Sequence, residues 1–215
     1  MKDVITMASS MLSRRDHRFD NLLLIYLMKQ DLSNDNSSMV SCVVVGDQKA
    51  GKSCLVHSYS NDSFKVNNGA TVFDHFYVGV EYTGKPCKIE IWDLSGAEDH
   101  ISIRKFAYSK AHIILLCFSI TDHQSFESVS SKWLKEIRAD EKARFLPILL
   151  IGCKSDGLCE EGLSGKREVG EDEINSLVER ENLLTYCKTS ALLGEGVKAP
   201  FDEAVRMFIA KDKSL

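Results

Sequence analysis

From residue 40 onward, short apolar runs alternate with longer segments of mixed polarity. "VSCVVVG" (40–46) is a β-branched run ending in glycine and predicts a buried strand. "FYVGVEY" (76–82) alternates in part, and "CKIEIWD" (87–93) alternates more clearly. "HIILLCFS" (112–119) and "PILLIGC" (147–153) are continuous apolar runs, as expected of strands covered on both faces. A sixth strand is predicted at "LLTYCKT" (183–189). Helical patterns lie between them at 51–60, 125–138, 171–181 and 197–210. In the second of these, Phe126, Val129, Trp133 and Ile137 follow spacings that place them on one helix face. Pro200 falls in the first turn of the last helix, where a missing N–H costs little. Alternation of this kind predicts an α/β fold: a six-stranded, mostly parallel sheet with helices on both faces.

Residues 1–38 lie outside this alternation and read as a flexible N-terminal extension. "MLSRRDHRF" is basic, "LLLIYLM" (22–28) is apolar and "SNDNSS" (33–38) has the composition of a linker. The apolar run is too short to cross a bilayer. Asp16 and Asp20 interrupt the basic flank and no small-residue cleavage site follows, so a secretory signal fits poorly. An amphipathic helix lying on a membrane or on the domain, disorder, and a functional start at Met39 stay open.

Composition narrows the class. The 215 residues are 44% hydrophobic and 27% charged, enough for one globular α/β domain plus a tail. A formal net charge of −4 gives no bulk pull towards nucleic acid or anionic lipid. Seven cysteines, at 42, 54, 87, 117, 153, 159 and 187, form no C-x-x-C pair. Several sit inside apolar runs, which suits a reducing, cytoplasmic setting. The six histidines show no metal-ligand spacing.

The chemistry concentrates in three places. Gly46-Asp47-Gln48-Lys49-Ala50-Gly51-Lys52-Ser53 fits the P-loop pattern, directly after a strand and opening a helix. Glycines let backbone N–H groups curl towards an anion, and the helix N-terminus adds partial positive charge. Lys52 would neutralise β- and γ-phosphates, and the Ser53 hydroxyl would ligate Mg²⁺. The second place is Asp93-x-x-Gly96, closing the third strand. Asp93 can hold Mg²⁺ through water, and the Gly96 N–H can reach a γ-phosphate. The third follows the fifth and sixth strands: Cys153-Lys154-Ser155-Asp156 and Ser190-Ala191-Leu192. A carboxylate such as Asp156 accepts from both N1–H and the 2-amino group of guanine, whereas adenine would leave it unpaired. Lys154 would cover the ring.

At these residues the chain resembles the Ras-superfamily small GTPases, and specifically their Rho/Rac branch, over residues 40–210. The strings that carry the likeness are "CVVVGD", "GKSCLV", "ATVFDHF", "IEIWDLSG", "CFSI", "SFESVSSKW", "SALLGEGV" and "FDEAVR". The resemblance implies a three-layer small-GTPase fold with a G domain over 39–215, binding GTP or GDP with Mg²⁺. It implies monomers that engage effectors and exchange factors through two switch regions, and it extends the phosphate loop to Cys54. Thr71 resembles the switch I threonine that ligates Mg²⁺, and Phe64 the aromatic that packs on guanine. Residues 94–108 would form switch II, and 157 to about 175 look like a shortened Rho insert.

Departures from the family pattern shape the functional expectation. Gln48 stands where the family has a glycine against the γ-phosphate, so it crowds the attacking water and the entry of an activating arginine. Ala97 replaces the glutamine that orients that water. An arginine finger is worth about 10³–10⁵ in rate. Losing both features predicts hydrolysis near or below the slow intrinsic level, with the protein mostly GTP-bound. Lys49 either strengthens phosphate binding or extends into solvent. Asn68 and Ala70 replace a tyrosine and a proline of switch I. "FIAKDKSL" carries neither a polybasic stretch nor a cysteine for prenylation, so no intrinsic lipid anchor is expected. Two alternatives remain: a slow but competent cycling GTPase, and a nucleotide-free interaction module.

Overall fold

The computed structural model describes residues 38–61, 71–158 and 169–212. The N-terminal readings, Phe64, Asn68, Ala70, Cys159 and most of the expected insert lie outside these residues. Six strands form one sheet in the order β2-β3-β1-β4-β5-β6. They are β1 Ser38–Gly46, β2 Phe73–Tyr82, β3 Lys85–Leu94, β4 Ile113–Ser119, β5 Ile148–Cys153 and β6 Tyr186–Lys188. Only the β2–β3 pair is antiparallel. Its two-residue connection, Thr83 (φ 50°) and Gly84 (φ 76°), has positive φ at both positions, as a twist-matched hairpin requires.

Helices cover both faces. α1 (Lys52–Asn61) packs on β1, β2 and β3, and α5 (Ala199–Asp212) packs on β1. Beneath them lie Val40, Cys42 and Val44 of β1, Ile89 and Ile91 of β3, and Leu115 and Cys117 of β4. Leu55, Val56, Phe201 and Val205 descend onto them from the two helices. Side chains alternate along a strand, so Val43, Val45 and Trp92 belong to the opposite face, where they are equally buried. On that side α2 (Ile101–Tyr108) packs on β3, and α3 packs on β1 and β4. α4 (Glu171–Arg180) precedes the β6 edge.

Two elements differ in kind from the expectation. α2 was not resolved by periodicity, because its buried stripe contains Arg104 beside Ala107 and Tyr108. The helix expected at 125–138 is two α segments, His123–Ser128 and Leu134–Ala139, joined by a π turn at Val129–Trp133; together they are α3. The wider turn brings Trp133 and Leu134 inward together, alongside Val129 and Ile137. Phe126 is only half-buried. Asp122 caps the helix by accepting from the Gln124 N–H at 3.2 Å.

Three strand boundaries shift. β1 begins at Ser38, inside the expected linker, because that residue already pairs with Cys87. β2 starts three residues earlier than its pattern suggested, since Phe73, Asp74 and His75 pair with Leu94, Asp93 and Trp92. β6 is confined to Tyr186–Lys188, although Leu184 still donates its N–H to Ile148 O at 2.8 Å. Pro200 occupies the first turn of α5, as expected.

Candidate functional site

β1 delivers the phosphate loop at its carboxyl end, between β3 and β4. Gly46 has φ 141° and lies so close to β4 that a Cβ would stand 2.1 Å from Cys117 O. Gly51 has φ 112°, and a Cβ there would meet the Cys153 side chain at 2.9 Å. Lys49 takes the left-handed region, φ 63°, with its side chain exposed. Ala50 is buried and donates its N–H to Asp47 O at 3.3 Å. Gln48 is exposed at the loop's rim.

Lys52 opens α1 and is buried, its ammonium donating to Gly46 O at 2.9 Å and Asp47 O at 2.8 Å. Burial pushes its pKa down, and the charge of Asp93 opposes that push. The Ser53 and Thr71 hydroxyls stand 2.9 Å apart, bringing together the two side chains expected to share a metal ion. Cys54 follows, half-buried, in the first turn.

Asp93 has no exposed surface, and neither carboxylate oxygen has a hydrogen-bond partner. Burial raises its pKa to about 6, while the nearby Ser53 hydroxyl and Lys52 ammonium pull it down. A buried carboxylate without hydrogen bonds is costly unless a cation compensates it. Two hydroxyls and one carboxylate are all-oxygen donors, the set that suits Mg²⁺ with retained waters. Ser53, Thr71 and, through water, Asp93 therefore fit the ion, which would neutralise phosphate charge there.

Gly96 packs directly on the phosphate loop. A methyl at this position would come within 2.5 Å of Gly46 O and 2.6 Å of Gln48 N, so only glycine allows the approach. Gln48, Gly96 and Ala97 line one open polar cleft together with Asp47, Glu98 and Lys132. The two departures noted in the sequence thus meet at one corner.

At the other end of the loop, the strand ends of β5 and β6 are tied together. Thr189 Oγ1 donates to Gly152 O at 3.2 Å, and the Ser155 N–H donates to Thr189 O at 3.1 Å. Ser190 Oγ donates to Asp156 Oδ1 at 2.5 Å and accepts from the Leu193 N–H at 3.1 Å. That pair fixes the Asp156 carboxylate. Lys154 is exposed with φ 62°. Cys153 is buried beneath Gly51, Ala191 accepts from Ser58 Oγ at 3.4 Å, and Leu192 is exposed.

Sequence reasoning missed three contributors. Trp133 Nε1 donates to Asp47 Oδ1 at 2.8 Å, linking α3 to the phosphate loop. Lys132 reaches Gly96 O at 3.4 Å. Arg104 donates to Ser95 O and Ala97 O at 3.2 and 2.6 Å. A tryptophan at a core-facing position was the one available signal, since its N–H needs a partner when buried.

A family model for the Ras family matches residues 41–210, the span that holds the phosphate loop, Asp93 and both base-side loops. The chain belongs to the Ras family and is a guanine-nucleotide-binding switch protein.

Proposed function

We propose that this is a Rho/Rac-type GTP switch with impaired hydrolysis, held mostly in its GTP-bound form and recruiting effector proteins through switch I. The supporting observation is the contrast between two halves of one pocket. Lys52, Ser53, Thr71 and Asp93 form a cation- and phosphate-holding cluster. The adjoining corner offers Gln48 and Ala97, where water would be positioned. Lys52 neutralises phosphate charge, Gly96 and loop N–H groups cradle the terminal phosphate, and Asp156 selects guanine. No side chain at 97 reaches a water: a methyl group neither donates nor accepts. Hydrolysis needs that water oriented, so binding persists while turnover fades.

Nucleotide extracted from freshly purified protein tests this reading. GTP is expected to predominate, with single-turnover decay at or below the unassisted small-GTPase scale of about 10⁻⁴ s⁻¹. A preparation holding chiefly GDP and hydrolysing added GTP readily would instead make the chain a cycling GTPase. A preparation that neither holds nor loads nucleotide would make it an interaction module.

A further inference from the structure

The segment Ser95–Ala97 is held from behind by cations of α2 and α3. Arg104, only 1% exposed, spends both hydrogens of Nη1 on Ser95 O and Ala97 O, at 3.2 and 2.6 Å. The other edge of its guanidinium makes a two-point pair with Glu136, Nε to Oε1 and Nη2 to Oε2, both 2.7 Å. Tyr108 donates to Glu136 Oε1 at 2.9 Å, and the guanidinium lies over the Trp133 ring at 5.2 Å. The intervening carbonyl, Gly96 O, accepts from Lys132 at 3.4 Å.

A trans peptide unit is planar, and its C=O and N–H point in opposite directions. Ser95 O and the Gly96 N–H belong to the same unit. Fixing the carbonyl on Arg104 therefore fixes the direction of the Gly96 N–H. Gly96 itself sits against Gly46 O and Gln48 N, on the phosphate-loop side. A bidentate guanidinium–carboxylate pair is among the stiffest polar contacts available.

We propose that Arg104, anchored by Glu136, is a positioning residue for the γ-phosphate: it pre-sets the Gly96 N–H, and so raises the affinity of the pocket for a triphosphate relative to a diphosphate. The role rests on the assignment of Gly96 as a γ-phosphate contact under Proposed function. Pre-organisation acts only on a ligand that uses the ordered group. A diphosphate lacks the γ-phosphate assigned to Gly96, so its affinity does not depend on Arg104.

The test compares affinities for GDP and for a non-hydrolysable GTP analogue in the full chain, with Arg104→Lys, Arg104→Met and Glu136→Gln variants. Glu136→Gln keeps the shape of the anchor and serves if Arg104→Met does not fold. Arg104→Met and Glu136→Gln are each expected to weaken the analogue about tenfold while leaving GDP within about twofold, with Arg104→Lys intermediate. Amide hydrogen exchange over 95–97 should accelerate in the same variants. Equal losses for both nucleotides, or none for either, would overturn the role of Arg104 and leave the γ-phosphate contact standing. An unaltered chain that binds neither nucleotide overturns both readings together.

Discussion

Lys52→Met should abolish retention of nucleotide through purification, lowering affinity for GTP and GDP by about 10³-fold. Lys52 is the pocket's buried cation, and its ammonium already bridges Gly46 O and Asp47 O. Those two bonds aim it along the inside of the loop, where phosphates would lie. Charge-assisted hydrogen bonds are worth about 1.5–3 kcal/mol each, so losing two such bonds from Lys52 to phosphate oxygens accounts for the expected drop. Methionine keeps the length of the stem but leaves Gly46 O, Asp47 O and the Asp93 carboxylate without their cation, so the variant should also melt lower than the parent. Titration calorimetry with GDP reports the loss, and a thermal melt checks the fold. Unchanged affinity in a folded variant would remove Lys52 from the binding site.

Gln48→Gly combined with Ala97→Gln should raise single-turnover hydrolysis about 10²-fold, the scale of one well-placed transition-state contact. The backbone permits both changes. Ala97 has φ −73° and ψ 146°, ordinary extended geometry that accepts glutamine. Its side chain faces the same open cleft as Gln48, so the new amide has room beside the phosphate loop. Each single change should give less, because a positioned water needs both space and an orienting group. Phosphate release after mixing with GTP measures the rate. A double variant no faster than the parent would place the defect outside this corner.

The sheet and the phosphate loop were legible because their signals are local. β4 and β5 are covered on both faces and appear as unbroken apolar runs, and β1 as a β-branched run ending in glycine. The phosphate loop depends on spacing alone. What escaped depends on side chains meeting across the fold. Arg104 is charged, so a periodicity count treats it as exposed, yet Glu136 lies 32 positions away and allows it to be buried. The π turn at Val129–Trp133 breaks the 3.6-residue period midway, so Leu134 fell off the face assigned to Phe126, Val129, Trp133 and Ile137. The start of β2 hid because Phe73 and His75 earn their place by ring contacts with Trp92, at 5.4 and 4.5 Å, not by an apolar alternation. The pairing of Ser53 with Thr71 was anticipated only through the family likeness, since no short-range pattern connects positions 18 apart.

The wide turn in α3 also makes that helix sensitive to residue count. Trp133 lies at the end of the turn and Glu136 just beyond it. A wide turn holds one residue more than an ordinary one, so removing one residue from 129–133 would let ordinary winding resume with Glu136 still facing Arg104. The same deletion at Leu134 or Lys135, in ordinary helix, would swing Glu136 by about 100° away from Arg104. Single-residue deletions in α3 are therefore better tolerated inside the wide turn than just beyond it.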